Sequence, residues 1–305
     1  MPSLTPQRSG ARAAVAPTPC ALCGGSGYRL VHDMGWRRIL RCAGCRLIRA
    51  EPLPSLAEKA EIETQGYTDE TAFPEVRDFF ANCHRNFVED PVIREMRRHL
   101  GRLESATGGP GSLLDIGAGT GILMHLARER GWRARGIDIC SLTAEKAARE
   151  FGVEIVVAPI EEHRFGESFD AITMLDVLEH VVDPLATLRR AYDLLRPGGA
   201  IAIAVPNQRC LLTSLVGLYA RLHGPRANEL LFRLYVPPHL HYFTPPTLRR
   251  MVELAKFRIL EFRQGAVYLG RYRMPLAMRV PLELVLAAGA AVGMNARLAV
   301  LAVKD

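Results

Sequence analysis

A glycine-rich segment between a short apolar run and a helical pattern is the strongest chemical signal in the chain. It reads Asp115-Ile-Gly117-Ala-Gly119-Thr-Gly121. Glycines let the backbone approach a ligand closely and turn sharply into a helix, whose first amides favour negative charge. No Gly-Lys-Ser/Thr follows, which excludes a phosphate-binding P-loop, and the spacing also differs from the G-x-G-x-x-G of dinucleotide sites. The segment therefore predicts a nucleotide site of another kind.

A second acidic residue, Asp138, lies 21 positions after Gly117, at the end of the next apolar run. A carboxylate at the end of a strand can accept hydrogen bonds from both hydroxyls of a ribose. The alternative is an acid that only caps the helix that follows. The combination with the glycine segment favours ribose binding.

Four cysteines form two pairs, Cys20-x2-Cys23 and Cys42-x2-Cys45, separated by 18 residues. This spacing is typical of a zinc ribbon, in which four thiolates close a tetrahedral shell around a structural metal. The alternatives are two disulfides or four unrelated thiols. No signal-peptide pattern is evident at the N-terminus, so we expect reduced thiols and one structural zinc.

Apolar runs alternate with helical patterns along most of the chain. Strands are predicted at 112–116, 133–139, 154–157, 169–175, 200–205, 257–263 and 297–303. Helices are predicted at 122–130 and at 142–151. Two further helices are predicted to begin after the cap residues Asp183 and Thr244. Strands that alternate with helices of this length predict an α/β fold, a doubly wound, Rossmann-like and mostly parallel seven-stranded sheet.

Composition changes along the chain predict four regions. Residues 1–19 are expected to be a disordered tail, 20–52 the zinc ribbon, 53–109 a helical region with an apolar stripe, and 110–305 the Rossmann-like domain. The break Gly108-Gly109-Pro110-Gly111 marks the last boundary. Residues 208–238 interrupt the alternation with helical spacing, and we expect them to form a lid over an acceptor pocket.

Several motifs together resemble one enzyme family. LLDIGAGTG, GIDIC and SFDAITMLDVLEHVVDPLATLRRAYDLLRPGGAIAIAVPN resemble the class I S-adenosylmethionine-dependent methyltransferases, in particular the small-molecule branch. HLHYFTPPTLRRMVELAKF resembles a histidine-rich segment of that branch, and CAGCRLIRAEPLP resembles half of a zinc knuckle that some members carry ahead of the catalytic domain. The resemblance covers about residues 20–50 and 110–263. It implies a methyltransferase with S-adenosylmethionine as cofactor.

The resemblance also implies where the cofactor binds. Asp115 would hold the methionine end, Asp138 the ribose, and Glu161 would flank the adenine. Many relatives carry an acid at the position of Ile160, so we expect a backbone contact to the adenine there. Tyr67 loosely matches a tyrosine that closes over the cofactor in relatives. The full set of expected cofactor residues is Asp115, Gly117, Gly119, Gly121, Asp138, Ile139, Ile160, Glu161, Leu175 and Asp176.

Three histidines are candidates for a base. The sulfonium is already an activated electrophile, so methyl transfer depends mainly on alignment and exclusion of water. An oxygen acceptor additionally benefits from a base beside its hydroxyl. His180 follows the fourth predicted strand, and His239 and His241 lie in the histidine-rich segment. The alternatives are a loop-fixing hydrogen bond for His180 and a hydrogen-bonded lid for the other two.

The net charge of +7 is unevenly distributed. Residues 205–305 carry 14 Lys and Arg against 5 Asp and Glu, whereas residues 1–204 carry 25 against 27. The excess in the last third favours an anionic acceptor, a membrane surface or nucleic acid as partner. The alternative is a solvated basic surface. Arginines alternate with leucines in 208–238, a pattern that suits a lid, a membrane contact or an anionic acceptor.

The sequence favours a methyltransferase that acts on a small molecule, at an oxygen of a sugar, lipid-linked or other secondary-metabolite-like acceptor. The first rival is an RNA methyltransferase that docks through the zinc ribbon and a basic surface, but the basic excess lies far from the ribbon. The second rival is a non-catalytic S-adenosylmethionine-binding protein. Hydrophobic residues make up 49% and charged residues 23%, and the longest apolar runs are too short for a bilayer span, so we expect a soluble cytoplasmic protein.

Overall fold

The computed structural model describes residues 18–68, 90–267, 269 and 275–305. The predicted tail lies outside these residues except for positions 18 and 19, and so do four members of the predicted apolar stripe, Phe79, Phe80, Phe87 and Val88. Within the described part, no helix combines the length and the apolar composition that crossing a bilayer requires.

The described residues contain the following elements. The strands are β1 (Tyr28–Asp33), β2 (Arg38–Cys42), β3 (Ile48–Glu51), β4 (Ser112–Ile116), β5 (Arg133–Asp138), β6 (Ile155–Val157), β7 (Phe169–Leu175), β8 (Leu195–Pro206), β9 (His241–Tyr242), β10 (Arg258–Gly265) and β11 (Arg297–Val303). The helices are α1 (Leu56–Thr68), α2 (Pro91–Thr107), α3 (Ile122–Glu129), α4 (Ser141–Phe151), α5 (Pro184–Leu194), α6 (Leu211–His223), α7 (Asn228–Leu234), α8 (Pro245–Leu254) and α9 (Leu276–Ala291), with a 3-10 turn at Gly224–Ala227.

The main sheet has seven strands in the order β10-β11-β8-β7-β4-β5-β6. Strands β4 to β8 pair in parallel, β11 is antiparallel to β8, and β10 is antiparallel to β11. All five residues of β4 are buried, as expected for a strand covered by helices on both faces. The predicted Rossmann-like, mostly parallel sheet is confirmed.

The predicted helix starts are confirmed by their caps. The Asp183 carboxylate accepts hydrogen bonds from the amides of Leu185 and Ala186 at the start of α5. Thr244 and Thr247 form a reciprocal capping box at the start of α8. Because a cap satisfies amides that have no partner inside the helix, it determines where the helix begins.

The N-terminal ribbon shares its sheet with a distant part of the chain. Strands β1, β2 and β3 form an antiparallel sheet, and β9 adds to its edge with Tyr242 opposite Ile48. Ile39 and Ile48 are buried together with Tyr242 and with Leu231 of α7. The ribbon is therefore packed on the segment that follows β8.

Two elements differ from the sequence-based expectation. Strand β8 begins at Leu195, before the predicted position 200, because Gly198 N donates to Lys304 O and Lys304 N donates to Gly199 O, which lengthens the pairing. Helix α9 was not predicted. Only Arg279 and Glu283 of its sixteen residues are charged, so no polar face alternates with an apolar one.

Candidate active site

The glycine segment lies at the carboxyl end of β4. Gly117 N and Ala118 N both donate to Ile137 O, at 2.8 and 3.2 Å, which fixes the turn against β5. Gly117 has φ +72°, and a Cβ atom there would lie 2.3 Å from Val177 Cγ2. This position therefore requires glycine for both its backbone conformation and its close packing. Gly119 and Gly121 also have positive φ.

Two carboxylates lie beside this turn. Asp115 is buried, its Oδ1 accepts a hydrogen bond from Thr173 Oγ1 at 2.7 Å, and burial raises its pKa to about 7, with a further contribution from the charge of Asp138. Asp138 accepts from Gly119 N at 2.8 Å and from Cys140 N at 2.9 Å. Burial raises the pKa of Asp138, although these amides partly oppose the rise. Among the described residues neither carboxylate forms an ion pair, so both suit a ligand that brings ammonium or hydroxyl donors.

The loop after β6 carries the residues expected near an adenine. Ile160 is buried. The Glu161 carboxylate accepts a hydrogen bond from Thr187 Oγ1 of α5, which directs the side chain toward that helix. Both residues line the same cavity as the glycine turn, as do Ile139 and Leu175. The engagement of Glu161 with Thr187 fits an adenine contact made through the backbone.

Asp176 follows β7 with φ +57° and forms an ion pair with Arg297 of β11, with Arg297 Nη2 2.8 Å from Asp176 Oδ1. Burial lowers the pKa of Arg297, but the charges of Asp176 and Glu95 outweigh this effect and raise it. Asp176 is among the residues expected from the sequence to bind the cofactor, whereas Arg297 is not. Nothing local to Arg297 distinguishes it from the other arginines of the last third.

His180 lies against an acidic residue of α1. His180 Nδ1 is 3.1 Å from Glu63 Oε1. Glu63 also accepts from Lys59 Nζ, and the same Nζ donates to Pro238 O at 2.9 Å. Burial alone would raise the pKa of Glu63, yet His180 and Lys59 lower it below its usual value. Lys59 and Glu63 were not predicted from sequence, because a Lys–Glu pair four residues apart is typical of a solvated helix face.

The structure brings His239 to His180 but separates His241 from the cavity. The rings of His180 and His239 form an edge-to-face contact with centroids 4.7 Å apart. Burial lowers the pKa of His239 well below its usual value, and His180, Lys59 and Arg37 contribute to the decrease. His241 is 1% exposed and its Nε2 lies 3.1 Å from Val182 O, the geometry of a hydrogen bond to that carbonyl. The expectation that His241 could serve as a base is not supported by this placement.

Arg37 of the ribbon holds the segment that carries His239. Its guanidinium donates to Val236 O at 2.9 Å, to Pro237 O at 3.0 Å and to His239 O. Glu179 O accepts from Leu240 N at 2.7 Å and from His241 N at 3.0 Å. The ribbon and the loop after β7 therefore both position this histidine.

Glu179 is buried beside the two histidines. Neither of its carboxylate oxygens has a hydrogen-bond partner among the described residues. Burial and the charge of Asp176 raise its pKa well above the usual value. Ligand atoms of Glu179, His180 and His239 lie within 4.8 Å of one another, a separation that could also accommodate a cation.

A cavity of about 1940 Å³ connects these groups. This volume exceeds the roughly 300–1,000 Å³ typical of a site for one small ligand. The glycine turn, the Asp138 loop, His180 and His239 all line it. Helices α6, α7 and α9 also line it with apolar residues, which include Leu212, Val216, Phe232, Leu282 and Val285. The cavity therefore has room for a cofactor and a second molecule beside it.

The four cysteines of the ribbon lie together. The Sγ atoms of Cys20, Cys23, Cys42 and Cys45 are all within 4.8 Å of one another. The pairs Cys20–Cys45 and Cys23–Cys42 are each 3.5 Å apart, too far for the roughly 2.05 Å of a disulfide. Tetrahedral zinc with Zn–S bonds of about 2.3 Å places its sulfurs about 3.8 Å apart. The donor set and its spacing thus fit a zinc ion.

Sequence comparison finds relatives among methyltransferases. A family model described as a methyltransferase domain matches residues 86–261. A ubiquinone biosynthesis O-methyltransferase of Idiomarina loihiensis is 30% identical over 198 residues, which cover 59% of this chain and 78% of the relative. A protein of the same name from Aeromonas salmonicida is 33% identical over 153 residues, which cover 47% of this chain and 61% of the relative.

Solved structures show the same fold. The 1,6-didemethyltoxoflavin-N1-methyltransferase of Burkholderia thailandensis, solved with S-adenosylhomocysteine, matches 88% of this chain and 96% of its own at a TM-score of 0.52 and 20% identity. The magnesium protoporphyrin IX methyltransferase of Synechocystis, solved with S-adenosylmethionine, matches 81% of this chain and 97% of its own at a TM-score of 0.52 and 13% identity. Because the family model spans more than half of the chain and the motifs lie where the fold requires them, this protein belongs to the S-adenosylmethionine-dependent methyltransferases.

Proposed function

We propose that the protein transfers a methyl group from S-adenosylmethionine to a hydroxyl oxygen of a small-molecule acceptor. The observation that carries this proposal is the contact between Glu63 and His180, because it supplies an oriented histidine in the same cavity as the glycine turn and the apolar helices. The names of the curated relatives, which are O-methyltransferases, support oxygen as the acceptor atom.

The cofactor fits the part of the cavity beside the glycine turn. Asp115 is a buried carboxylate with no cationic partner among the described residues, which suits the ammonium of a methionine moiety. Asp138 is held by two backbone amides, and its oxygens retain lone pairs for ribose hydroxyls. The backbone at Ile160 and Glu161 would flank the adenine, and Leu175 and Asp176 would line the methionine end.

When bound, S-adenosylmethionine supplies a methyl group on a sulfonium that is already activated for transfer. The protein therefore contributes alignment, exclusion of water and the removal of one proton. The apolar side chains of α6, α7 and α9 line the cavity and would exclude water from a bound acceptor.

His180 would take the proton from the acceptor hydroxyl. When Nδ1–H donates to the Glu63 carboxylate, the lone pair of Nε2 is free to accept a proton. The negative charge of Glu63 stabilises the imidazolium that forms, and Lys59 holds Glu63 in place. This arrangement follows the general pattern of a base oriented by a third group.

His239 would position the hydroxyl and not remove its proton. Burial holds the pKa of His239 well below its usual value, which disfavours a second positive charge beside a protonated His180. A neutral imidazole can donate one hydrogen bond and accept another. His241 would have a structural role, since its ring anchors the segment to Val182 O.

The wall of the cavity favours an acceptor with a substantial apolar part. Leu212, Val216, Leu282 and Val285 are among its lining residues. Lipid-linked acceptors, and secondary metabolites with an apolar part such as quinone-like molecules, suit these side chains better than a free sugar does. Arg98 also lines the cavity, so an acidic group on the acceptor is compatible with the site.

Cys20, Cys23, Cys42 and Cys45 would hold a structural zinc. Four thiolates leave no open coordination position, so the metal would not take part in the chemistry. Its role would be to stabilise the ribbon, whose Arg37 holds the carbonyls around His239.

The proposal is tested by calorimetry with S-adenosylhomocysteine, followed by methyl transfer to lipophilic catechols measured by mass spectrometry. We expect micromolar cofactor binding and an O-methylated product, with His180→Ala reducing turnover about 100-fold or more. His163, which is half-buried and does not line the cavity, provides the matched control, His163→Ala, with normal turnover. The proposal would be contradicted if the folded, zinc-loaded protein did not bind S-adenosylhomocysteine. It would also be contradicted if the protein methylated RNA but did not methylate any of the catechols.

A further inference from the structure

Helices α6 and α9 each have an inner and an outer apolar face. On the inner side, Leu212 and Val216 of α6, and Leu282 and Val285 of α9, line the cavity. On the outer side lies a set of large apolar residues, which we name the outer apolar surface: Leu215, Leu218, Leu222, Leu276, Val280 and Leu284. The two helices thus carry more apolar surface than the interior of the protein covers.

The outer apolar surface is strongly exposed. Leu222 is 72%, Leu276 73% and Leu284 66% accessible to solvent. Of the sixteen residues of α9, only Gly289 is buried. A helix that is apolar on all sides is normally covered, and large contiguous apolar patches on soluble proteins mark interaction sites. The surface therefore indicates a partner that the described part of the chain does not supply.

The two helices are held in fixed positions. Met294 O accepts a hydrogen bond from Leu211 N. A Cβ atom on Gly289 would lie 3.1 Å from Leu211 Cβ and 2.8 Å from Met294 O, so the helices approach each other closely at this glycine. Leu211, Leu215, Leu218 and Leu222 follow the spacing of one helix stripe. The outer apolar surface is thus a feature of packed helices.

The charge of the segment that contains α6 favours one kind of partner. Residues 208–238 contain four arginines, Arg209, Arg221, Arg226 and Arg233, against a single glutamate, Glu229. All four arginines are exposed. Exposed leucines flanked by basic residues are typical of helices that lie in the headgroup region of anionic membranes. A second copy of this chain would bring the same positive charge to the contact, which opposes self-association.

We propose that the outer apolar surface docks on an anionic phospholipid bilayer. The leucines enter the boundary between headgroups and acyl chains, and the arginines contact the lipid phosphates. The docking does not depend on methyl transfer. A second consequence rests on the proposed function. Docking would also place the cavity wall formed by α6 and α9 at the lipid, where an acceptor with an apolar part resides.

The test is co-sedimentation of the full chain with vesicles of phosphatidylglycerol and phosphatidylcholine in equal amounts, and with vesicles of phosphatidylcholine alone. We expect the protein to bind the anionic vesicles and to bind the neutral ones at least about tenfold more weakly. High salt should weaken the binding, because it screens the arginines.

The double variant Leu222→Glu, Leu284→Glu should reduce binding to anionic vesicles by about tenfold or more. The control is Leu30→Glu, Leu254→Glu, which changes leucines that are 57% and 40% exposed on other elements and should leave vesicle binding normal. Normal S-adenosylhomocysteine affinity of both double variants would show that their fold and cofactor site are intact.

Three results would overturn the inference. The first is wild-type protein that stays in the supernatant with both kinds of vesicle. The second is equal loss of vesicle binding in the test and control variants. The third is a stable dimer in light scattering that the test variant alone dissociates, since a second copy would then cover the surface. Vesicle binding without methyl transfer would count against the proposed function only.

Discussion

Glu63 and His180 lie 117 positions apart in the chain, and their side chains meet with Glu63 Oε1 3.1 Å from His180 Nδ1. Helix α1 supplies the acid and the loop after β7 supplies the histidine. Lys59, one turn before Glu63, ties the pair to Pro238 O. His180, Glu63 and the histidine-rich segment thus form one connected group at the cavity.

The charge of Glu63 is expected to matter for turnover and not for cofactor binding. Glu63→Gln keeps an oxygen that can accept from His180 Nδ1 but removes the negative charge that stabilises the imidazolium. We expect turnover to fall about 10- to 100-fold while affinity for S-adenosylhomocysteine stays within about twofold. Steady-state kinetics and calorimetry on the same preparations would measure both quantities.

The matched control for this substitution is Glu61→Gln, on an exposed residue of the same helix. Its turnover should equal that of the wild type. Full activity of the Glu63→Gln enzyme would contradict the proposed role of the carboxylate in orienting His180. An equal loss in both variants would indicate a general effect on α1.

The pKa of Asp115 predicts a pH-dependent stability in the cofactor-free protein. Burial raises this pKa from 3.8 to about 7, so between these values the folded state holds a proton that the unfolded state has released. The contribution of Asp115 to stability is therefore fully present below about pH 4 and is lost as the pH rises through about 7. Asp115→Asn, which keeps the oxygen that accepts from Thr173, should remove this loss.

Urea unfolding at pH 5 and pH 8 would measure the effect. At pH 8 we expect Asp115→Asn to exceed the wild type in free energy of unfolding by at most about 4 kcal/mol, and the difference should shrink toward acid pH. Asp193→Asn, at an exposed position, should leave the free energy of unfolding unchanged at both pH 5 and pH 8. If Asp115→Asn destabilised the protein equally at both pH values, the raised pKa would be contradicted.

Asp138 is expected to be essential for cofactor affinity. Its carboxylate holds Gly119 N and Cys140 N, and the proposed ribose contact uses the same oxygens. Asp138→Ala should weaken S-adenosylhomocysteine binding by about 100-fold or more, since it removes hydrogen bonds to a charged acceptor. Circular dichroism should show an intact fold, and unchanged affinity would remove the ribose assignment.

Metal analysis is expected to find one zinc per chain. Cys42→Ser should lose the metal and lower the thermal stability of the ribbon, because metal binding and folding are coupled in such sites. Since Arg37 of the ribbon holds the carbonyls around His239, turnover should fall more than cofactor affinity. Cys210→Ser, a buried cysteine outside the cluster, should keep its zinc. A metal-free protein of normal stability would argue against the site.

The order of strands and helices, and thereby the fold class, could be predicted from sequence. Strands β4 and β7 and helices α5 and α8 begin where their apolar runs and caps indicate. Such signals depend on residues a few positions apart, because hydrophobic periodicity and helix caps act over short range. Helix α9 was not predicted for the same reason, because a helix that is apolar on all sides shows no periodic alternation of apolar and polar residues.

The candidate site was predicted in part. The glycine turn, Asp138 and Asp176 follow strand ends, and parallel strands bring their carboxyl ends to one edge of the sheet. Lys59, Glu63 and Arg297 could not be identified, because nothing near them in sequence distinguishes them from solvated charges. The cofactor roles and the zinc stay predictions until the experiments above are done.

The sequence by itself determined the parallel sheet, the glycine turn and the clustering of four cysteines, because each is encoded by local spacing. Only the tertiary structure decided that His180 meets Glu63, that β9 completes the sheet of the ribbon, and that His241 is buried against Val182 O while His239 faces the cavity. These outcomes depend on packing between segments that lie far apart in the chain. The side-chain contacts of two neighbouring histidines are set by the surfaces they meet, and no local pattern specifies those surfaces.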